Sequence, residues 1–562
     1  MRDSLPRALV IQYLVAAATL LLVAAPLLPI LLQSFSDRPL YDGVHILSLD
    51  NYRRLLTDPH FYAVTWNSLR LAFWTTVIAL VLGVGMTLLI ERTNIACRRL
   101  LRALMLSPLY ISHLVIAFGW FVMYGPSGYV TQFFSNLLGY IPWNLYSIGG
   151  MSVVAGTAQA SLVYLFCSSS AAMADSSLED AARSTGATPM RVLCSISLPL
   201  MRPAIIYSAL LNFIGSLEML SVPLVFGRPV GYDFFTTYLY REGLHPASPD
   251  YGLVGAAAAM LLVLISLLLV LQGRLLARSS RFITVKGKAS RPKLTDIGNW
   301  RVPACALLLC YLIVVLGVPV LGLALRSFTA FLTPLMAPWE LLTLDNYRAI
   351  FGYEAYVRSI WNSVIISVVG GAIGVALIAT VALVVHRSDF RFRRPLEFVA
   401  LYPRAIPGVV AGLGIFWATL LLGFMAPLQG TIWILMIAFI IRSIPTAYGA
   451  LAPALLQIGR EFDQSARSAG ADWWTACTRI IAPILKPALF SAYVLLFLAF
   501  MKEYSSAAFL YAPGSEVIGT VMLSFWTNGD AGPVAALSLI QMVITFAFVY
   551  VARRVLRSSD HD

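Results

Sequence analysis

The chain has 562 residues, of which 59% are hydrophobic and only 12% are charged, and its mean hydropathy is +0.79. Soluble domains are about half apolar and about one quarter charged, so this composition excludes an ordinary soluble globular protein and indicates an integral membrane protein. The net charge of +13 does not favour nucleic-acid binding, because the basic residues lie in short segments between apolar stretches rather than on a soluble face.

Twelve apolar segments are candidates for membrane spans. Leu9–Leu32, Val302–Leu325 and Ser363–Val385 contain no charged residue, and about 20 apolar helical residues suffice to cross a bilayer core. The first is too long for the apolar part of a signal peptide, so we expect it to remain as a span. The sequence predicts an all-α integral membrane protein with about 12 transmembrane helices. Their expected ranges are 9–32, 71–90, 103–124, 151–174, 203–227, 252–272, 302–325, 363–385, 398–425, 426–452, 487–512 and 531–552.

The basic residues predict the orientation of these spans. An N-terminus on the inner side places most of the 40 lysines and arginines in cytoplasmic segments, as the positive-inside rule requires. We therefore expect a multi-pass protein of the bacterial inner membrane with both termini cytoplasmic. The six cysteines fall in predicted spans or inner loops without a C-x-x-C pair, which favours packing residues over disulfides or zinc ligands. No metal site is assigned.

An internal repeat divides the chain. Leu-Asp-Asn-Tyr-Arg at 49–53 recurs at 344–348, an offset of 295, and Arg-Ser-x-Gly-Ala at 183–187 recurs at 467–471, an offset of 284. Identity at fixed offsets indicates duplication. Six predicted spans separate equivalent positions, so the two copies have the same orientation, and the pathway of such a parallel repeat is expected at the interface of its halves.

The repeat gives three regions. Residues 1–273 form a first six-helix repeat with an inner loop at 173–202, and residues 302–562 form a second with an inner loop at 453–486. Between them, 274–301 has eight basic residues and one acid, which predicts a basic cytoplasmic linker.

The two inner loops share a pattern. Each predicts a short alanine-rich helix ended by a glycine, Gly186 or Gly470, and then a second short helix halted by prolines. One such loop could be a plain connector at the membrane surface. Two copies related by a twofold axis present the same surface twice, which suits a partner that is itself a twofold dimer.

These loops resemble the EAA loops of permease subunits of binding-protein-dependent ABC importers, whose pattern is E-A-A-x-x-x-G before a proline-bearing stretch. The likeness covers nearly the whole chain and is best for fused permeases of the ferric-iron transport type. Asp180 replaces the first alanine in the first copy, and Asp463, Gln464 and Ser465 depart from the pattern in the second. The resemblance implies a type I ABC importer permease fold, with each loop as a coupling helix. The ATPase-coupling positions that it carries over are Glu179, Ala182, Gly186, Asp463, Ala466 and Gly470.

The resemblance also implies partners. These are a homodimer of ABC ATPase subunits at the cytoplasmic face, a periplasmic or lipid-anchored substrate-binding protein, and the lipid bilayer. The sequence contains no G-x-x-x-x-G-K-S/T motif, so ATP and Mg²⁺ are expected on the partner ATPase, with no cofactor and no enzymatic activity on this chain. Ferric iron is the first cargo candidate. Relatives with the same features handle polyamines, thiamine or phosphonates, which stay as alternatives.

Four charged residues fall inside predicted spans and are expected to face the pathway or gate, because a charge exposed to lipid is costly. They are Glu218, Arg404, Lys502 and Glu503. Glu218 and Lys502 are repeat equivalents, so an ion pair between them is expected, either at the gate or as a structural pair. A lone His113 favours packing over ligation. The segment 402–408, with two prolines and a glycine, either lines the pathway or is an ordinary kink.

Two further expectations remain. The outer segment 125–150, which begins with Gly-Pro-Ser-Gly, is a candidate docking or gating element. An ion-coupled secondary transporter can also have two parallel sets of six spans, but the repeated inner loop and the few buried carboxylates argue against that class. A membrane receptor or scaffold would leave the repeated loop unexplained.

Overall fold

The computed structural model describes residues 4–42, 46–173, 181–182, 184–244, 249–279, 294–333 and 335–559. Within these ranges, nine helices are long and apolar enough to cross a membrane, and three pairs of bent helices pass the same test together. Counting each pair as one span gives the predicted number of 12, so the prediction of an all-α membrane protein is confirmed.

Most helices of one repeat have a counterpart in the other, in the same order along the chain. Those of the first repeat are Ser4–Phe35, Asp50–Thr57, Pro59–Arg92, Arg98–Leu106, His113–Tyr124, Tyr129–Leu138, Ile148–Met173, Leu193–Leu200, Arg202–Leu217, Phe235–Leu244 and Tyr251–Ser279. Those of the second repeat are Gly298–Ser327, Asp345–Phe351, Glu354–Arg387, Arg393–Ala405, Gly408–Leu421, Ile432–Gln457, Glu461–Ser468, Trp473–Ile484, Lys486–Met501, Ala507–Leu510, Ile518–Thr527 and Ala531–Ser559.

Several predicted spans have different limits in the structure. The span expected at 203–227 has its helix end at Leu217, and the one expected at 487–512 ends at Met501. The span expected at 398–425 bends by 111° before Gly408. Apolar residues continue past each break, and hydropathy measures composition rather than backbone hydrogen bonding, so the breaks leave no trace in a hydropathy profile. The span expected at 71–90 begins earlier, at Pro59, where the Asp58 side chain accepts the His60 N–H.

The opening helix of each repeat packs against the other repeat. Ser4–Phe35 lies on Gly408–Leu421 as well as on Tyr251–Ser279, and Val318–Ser327 lies on His113–Tyr124 as well as on Ala531–Ser559. The two arrangements are equivalent, so the repeats exchange their first helices. One buried core consequently includes side chains of both halves, for example Phe118, whose ring centroid is 5.0 Å from that of Trp526.

Glycines permit this close crossing. A Cβ added to Gly119 would lie 2.9 Å from the carbonyl oxygen of Pro319, and one added to Gly414 would overlap the carbonyl oxygen of Pro26. Gly119 and Gly414 are themselves repeat equivalents at the offset of 295. Both crossings therefore use the same small residue to bring two helix backbones together.

The ends of the predicted linker belong to neighbouring structure. The helix Tyr251–Ser279 continues past residue 274, and residues 280–293 lie outside the described ranges. Further on, the Thr295 N–H donates to the carbonyl oxygen of Arg92 at 2.8 Å, and Asn94 donates to the Asp296 carboxylate. The end of the linker thus lies against the C-terminal end of the helix Pro59–Arg92 before the second repeat begins.

Candidate functional site: a charged cavity between the repeats

A cavity of about 400 Å³ lies between the two repeats. Its lining residues come largely in repeat-equivalent pairs, so the cavity lies where the pseudo-twofold relation between the halves places a shared pathway. The pairs are Ala158 with Arg442, Gln159 with Ser443, Leu162 with Thr446, Gly215 with Ala499, Glu218 with Lys502, Met219 with Glu503, Leu220 with Tyr504, and Ser221 with Ser505.

Helix ends place the charged side chains at this cavity. The helices Arg202–Leu217 and Lys486–Met501 stop at equivalent residues, immediately before Glu218 and Lys502. After Met501 the chain turns, and the backbone N–H groups ahead of the next helix, Ala507–Leu510, need partners in an apolar setting. Glu503 supplies one, because its Oε1 accepts the N–H groups of Ser505 at 3.0 Å and of Ser506 at 3.1 Å.

Arg442 joins the two repeats through this cluster. Its guanidinium donates to Glu503 and to the Ser505 hydroxyl at 2.9 Å, and its Nη2 lies 3.6 Å from Oε2 of Glu218 in the first repeat. The three charged side chains are 13% to 27% exposed. One arginine between two carboxylates gives each of the three charged groups a partner of opposite charge, in a setting where an unpaired charge is expensive.

Sequence reasoning missed Arg442. It lies inside the span expected at 426–452, so the rule that identified the other intramembrane charges applies equally to it. Its repeat equivalent is Ala158, which is uncharged. Comparing the two halves therefore does not identify a charge that is present in only one of them.

Lys502 does not form the ion pair that the repeat symmetry predicts. Its Nζ donates to the carbonyl oxygen of Leu109 at 2.6 Å, and among the described residues it has no carboxylate partner. The expected Glu218–Lys502 pair is therefore wrong, although both residues line the cavity. The physical reason is that Arg442 of the second repeat forms the ion pair with Glu218 instead.

Two further candidates remain, of which Arg404 is expected at the pathway and His113 is expected to be a packing residue. Arg404 does not line the cavity, and its Nη2 donates to the Tyr207 hydroxyl at 3.1 Å. His113 does line it. Gly408, the repeat equivalent of His113, packs so tightly that a Cβ there would overlap Ser505 and Arg442. The bend at 402–408 thus lies directly against the charged cluster. Within the described ranges, no group of three or more acid, histidine or cysteine side chains could hold a metal ion.

The glycines of the two inner loops adopt the predicted left-handed conformation. The φ angles are +86° at Gly186 and +87° at Gly470. In the first loop the Ala187 N–H donates to the Ala182 carbonyl, and in the second the Ala471 N–H donates to the Ala466 carbonyl, both at 3.0 Å. This six-residue closure is the Schellman helix ending. Both loops therefore end their first helix in the same way.

The second inner loop is fastened to the end of a membrane span. Arg387, the last residue of Glu354–Arg387, donates to Oδ2 of Asp463 at 2.7 Å and to the Ile458 carbonyl at 2.6 Å. The Trp473 indole donates to the Arg387 carbonyl at 2.9 Å. The Asp463 side chain, 15% exposed, therefore anchors the loop within the chain, and Ala466 on the same helix is buried. Glu179, the counterpart of Asp463 in the first loop, lies outside the described residues.

The outer segment at 125–150 contains the amphipathic helix Tyr129–Leu138. Phe133 and Leu137 on this helix are more than half exposed. Beyond it, the Trp143 indole donates to the Tyr124 carbonyl at 2.9 Å, which fastens the segment to the span before it. Its role as a docking or gating element stays a prediction.

Known proteins resemble this chain along most of its length, in both repeats. The family described as "Binding-protein-dependent transport system inner membrane component" matches residues 61–281 and again residues 373–559. The "Ferric transport system permease protein FbpB" of Actinobacillus pleuropneumoniae is 28% identical over 522 residues, which are 91% of this chain and 73% of that protein.

Two further relatives also match along most of their length. The "Probable ABC transporter permease protein y4fN" of Sinorhizobium fredii is 26% identical, covering 86% of this chain and 85% of the relative. The "Fe(3+)-transport system permease protein FbpB 2" of Haemophilus influenzae is 23% identical, covering 88% of this chain and 89% of the relative. The chain belongs to the family of inner membrane components of binding-protein-dependent transport systems, and it carries the family's domain twice.

Proposed function

We propose that this chain is the pathway-forming permease of an ATP-driven importer and that its cargo is ferric iron. The observation that carries the pathway is the cavity between the repeats, which is lined by equivalent residues of both halves and holds the charged cluster around Arg442. The names of the ferric-transport relatives support the cargo. Polyamines, thiamine and phosphonates are the cargo alternatives to be tested alongside it.

The carboxylates of Glu218 and Glu503 suit the passage of a hard cation, because such cations prefer oxygen ligands. In this structure both carboxylates are engaged by Arg442. We infer that opening the pathway separates Arg442 from Glu218, the more distant of its two carboxylates, and leaves that group facing the cavity. The energy for this change would come from ATP hydrolysis on two partner ATPase subunits, acting through the inner loops at 173–202 and 453–486.

The proposal includes an orientation. Both termini, the basic linker and the two inner loops lie on the cytoplasmic side, as the distribution of lysine and arginine favours. The substrate-binding protein then delivers its cargo from the other side, where the helix Tyr129–Leu138 and its exposed apolar residues lie. Cysteine labelling with a membrane-impermeant reagent in intact cells would test this, and labelling at Gly470→Cys without permeabilisation would contradict it.

The decisive experiment uses the full chain in nanodiscs with a candidate ABC ATPase and a candidate binding protein from the same organism. ATP hydrolysis is measured with the binding protein loaded in turn with ferric iron, polyamine, thiamine and phosphonate. Stimulation by the ferric form alone would support both parts of the proposal. Stimulation by another cargo would reject iron but keep the importer. Absence of any ATPase association, with uptake driven by an ion gradient, would favour the secondary transporter.

A further inference from the structure

A second cavity, of about 210 Å³, lies beside the second inner loop. We call it the inner pocket. It is bounded by the end of the span Glu354–Arg387, by the segment that follows it, and by the helix Glu461–Ser468. The span Ile432–Gln457 also ends next to it, just before Arg460. Because two membrane spans end here, the pocket lies at the depth of the lipid headgroups rather than in the bilayer core.

The inner pocket has an excess of positive charge. Arg387 and Asp463 pair with each other and cancel. The remaining charged side chains are Arg393, Arg460 and Arg467 against the single carboxylate of Asp389, which lies a distant 3.9 Å from Arg467 and is 90% exposed. Among the described residues, Arg393 and Arg460 have no ion-pair partner. The pocket therefore presents at least two guanidinium groups that no carboxylate neutralises.

The first repeat shows how such an arginine is otherwise satisfied. There, Glu91 binds Arg98 at 3.0 Å and also binds Arg102 through two hydrogen bonds. The Tyr164 hydroxyl donates to the same carboxylate at 2.7 Å. Four side chains from three helices thus form a closed group in which both arginines share one carboxylate partner.

The second repeat keeps this geometry but exchanges the acid and the base. The equivalents of Glu91, Arg102 and Tyr164 are His386, Glu397 and Tyr448, and Tyr448 still joins the other two, at 2.9 Å to His386 and 3.1 Å to Glu397. The carboxylate has moved to position 397, outside the inner pocket. Within the part of the chain that the structure describes, Arg393, the equivalent of Arg98, donates to the Ser388 carbonyl and has no carboxylate partner.

We propose that the inner pocket binds the phosphate group of an anionic phospholipid. Guanidinium groups bind phosphate oxygens with paired hydrogen bonds, and basic pockets between membrane helices on the cytoplasmic side are suited to anionic headgroups. The headgroup gives Arg393 the anionic partner that the Glu91 carboxylate gives Arg98 in the first repeat. Bound there, it lies between Arg393 and the helix Glu461–Ser468, and so stabilises the position of the second inner loop. This inference rests on the residues of the pocket and holds for any cargo.

The test is native mass spectrometry of the full chain purified in detergent and supplied with phosphatidylglycerol, with phosphatidylcholine, or with inorganic phosphate. The unmodified chain should retain one phosphatidylglycerol more tightly than phosphatidylcholine. Arg393→Gln and Arg460→Gln should each weaken retention about fivefold, the value expected for one basic residue near an anionic headgroup. Arg394→Gln is the matched control, because Arg394 is exposed on the same helix and does not line the pocket.

A second variant recreates the first repeat's arrangement in the second. His386→Glu combined with Glu397→Arg places a carboxylate beside Arg393 and gives it a second arginine partner, as Glu91 has in the first repeat, so the chain should fold and retain phosphatidylglycerol more weakly than the unmodified chain. Equal retention by this variant and the unmodified chain would overturn the proposal. So would equal losses in Arg393→Gln and Arg394→Gln, or binding of inorganic phosphate without binding of phosphatidylglycerol.

Discussion

The guanidinium of Arg442 lies 3.6 Å from the carboxylate of Glu218, and this contact joins the second repeat to the first across the cavity. The same guanidinium is bonded more closely to Glu503 of its own repeat. Because a longer ion pair is easier to break, we expect Arg442 to separate from Glu218 of the first repeat before it separates from Glu503.

Arg442→Gln should abolish cargo uptake and destabilise the protein. It leaves the carboxylates of Glu218 and Glu503 facing each other without a cation, and removing one partner of a buried ion pair costs about 3 to 5 kcal/mol. Uptake into proteoliposomes and thermal unfolding of the purified chain measure the two effects. Adding Glu503→Gln to Arg442→Gln should recover part of the stability without recovering uptake. Gly449→Ala is the control, because Gly449 lies on the same helix, has open space around it and does not line the cavity. Native uptake by Arg442→Gln would contradict the proposed gate.

Gly119→Ala and Gly414→Ala should each destabilise the fold by about 1 to 3 kcal/mol, the usual cost of forcing a methyl group into a packed interface. The added Cβ at Gly119 has only 2.9 Å to the Pro319 carbonyl oxygen, and the backbone there cannot easily move. Gly449→Ala is the control, since that helical glycine has open space around it. Thermal unfolding in detergent gives the comparison. If all three variants unfold at the same temperature, the exchanged helices do not cross as closely as described.

Gly186→Ala and Gly470→Ala should lower the ATP hydrolysis that the loaded binding protein stimulates, if the inner loops transmit the ATPase stroke. A left-handed φ near +87° costs an alanine roughly 1 to 2 kcal/mol, whereas asparagine tolerates this region better. Gly470→Asn should therefore retain more activity than Gly470→Ala. Gly273→Ala, at a helical glycine in open space, is the control for general damage. A Gly470→Ala chain that keeps full stimulation would reject the coupling role.

Arg387→Gln should be more harmful than Asp463→Asn. The arginine also donates to the carbonyl oxygens of Leu455 and Ile458, so its loss leaves buried acceptors unpaired as well as breaking the ion pair. A double-mutant cycle on thermal stability isolates the pair itself, and residues in direct contact show interaction energies of about 0.5 to 3 kcal/mol. Additive effects within experimental error would mean that the ion pair does not fasten the loop.

Much of the fold follows from the sequence because its causes are periodic or repeated. Long apolar runs predict spans, and fixed offsets predict two equivalent halves whose interface holds the cavity. Gly186 and Gly470 could be assigned to left-handed helix ends because a glycine after an alanine-rich turn has few other uses. These features depend on residues near each other in the chain or at constant separation.

The details of the cavity could not be predicted in the same way. The helix ends at Leu217 and Met501 are followed by more apolar residues, so composition does not mark them. The partner of Glu218 depends on which side chain reaches it in three dimensions, and symmetry pointed to Lys502 while Arg442 occupies that place. A duplicated sequence predicts where equivalent backbone segments lie. Which side chains form ion pairs depends on residues that differ between the copies, such as Arg442, whose equivalent is Ala158.

The crossing of the opening helices also constrains how the protein is made. Ser4–Phe35 enters the membrane first, yet Gly408–Leu421, on which it finally packs, is synthesised long afterwards. During that interval the helix must keep a face toward lipid that the finished protein covers. Carrying both repeats on one polypeptide keeps the late partner tethered to the early one and fixes a ratio of one to one between two halves that are no longer interchangeable.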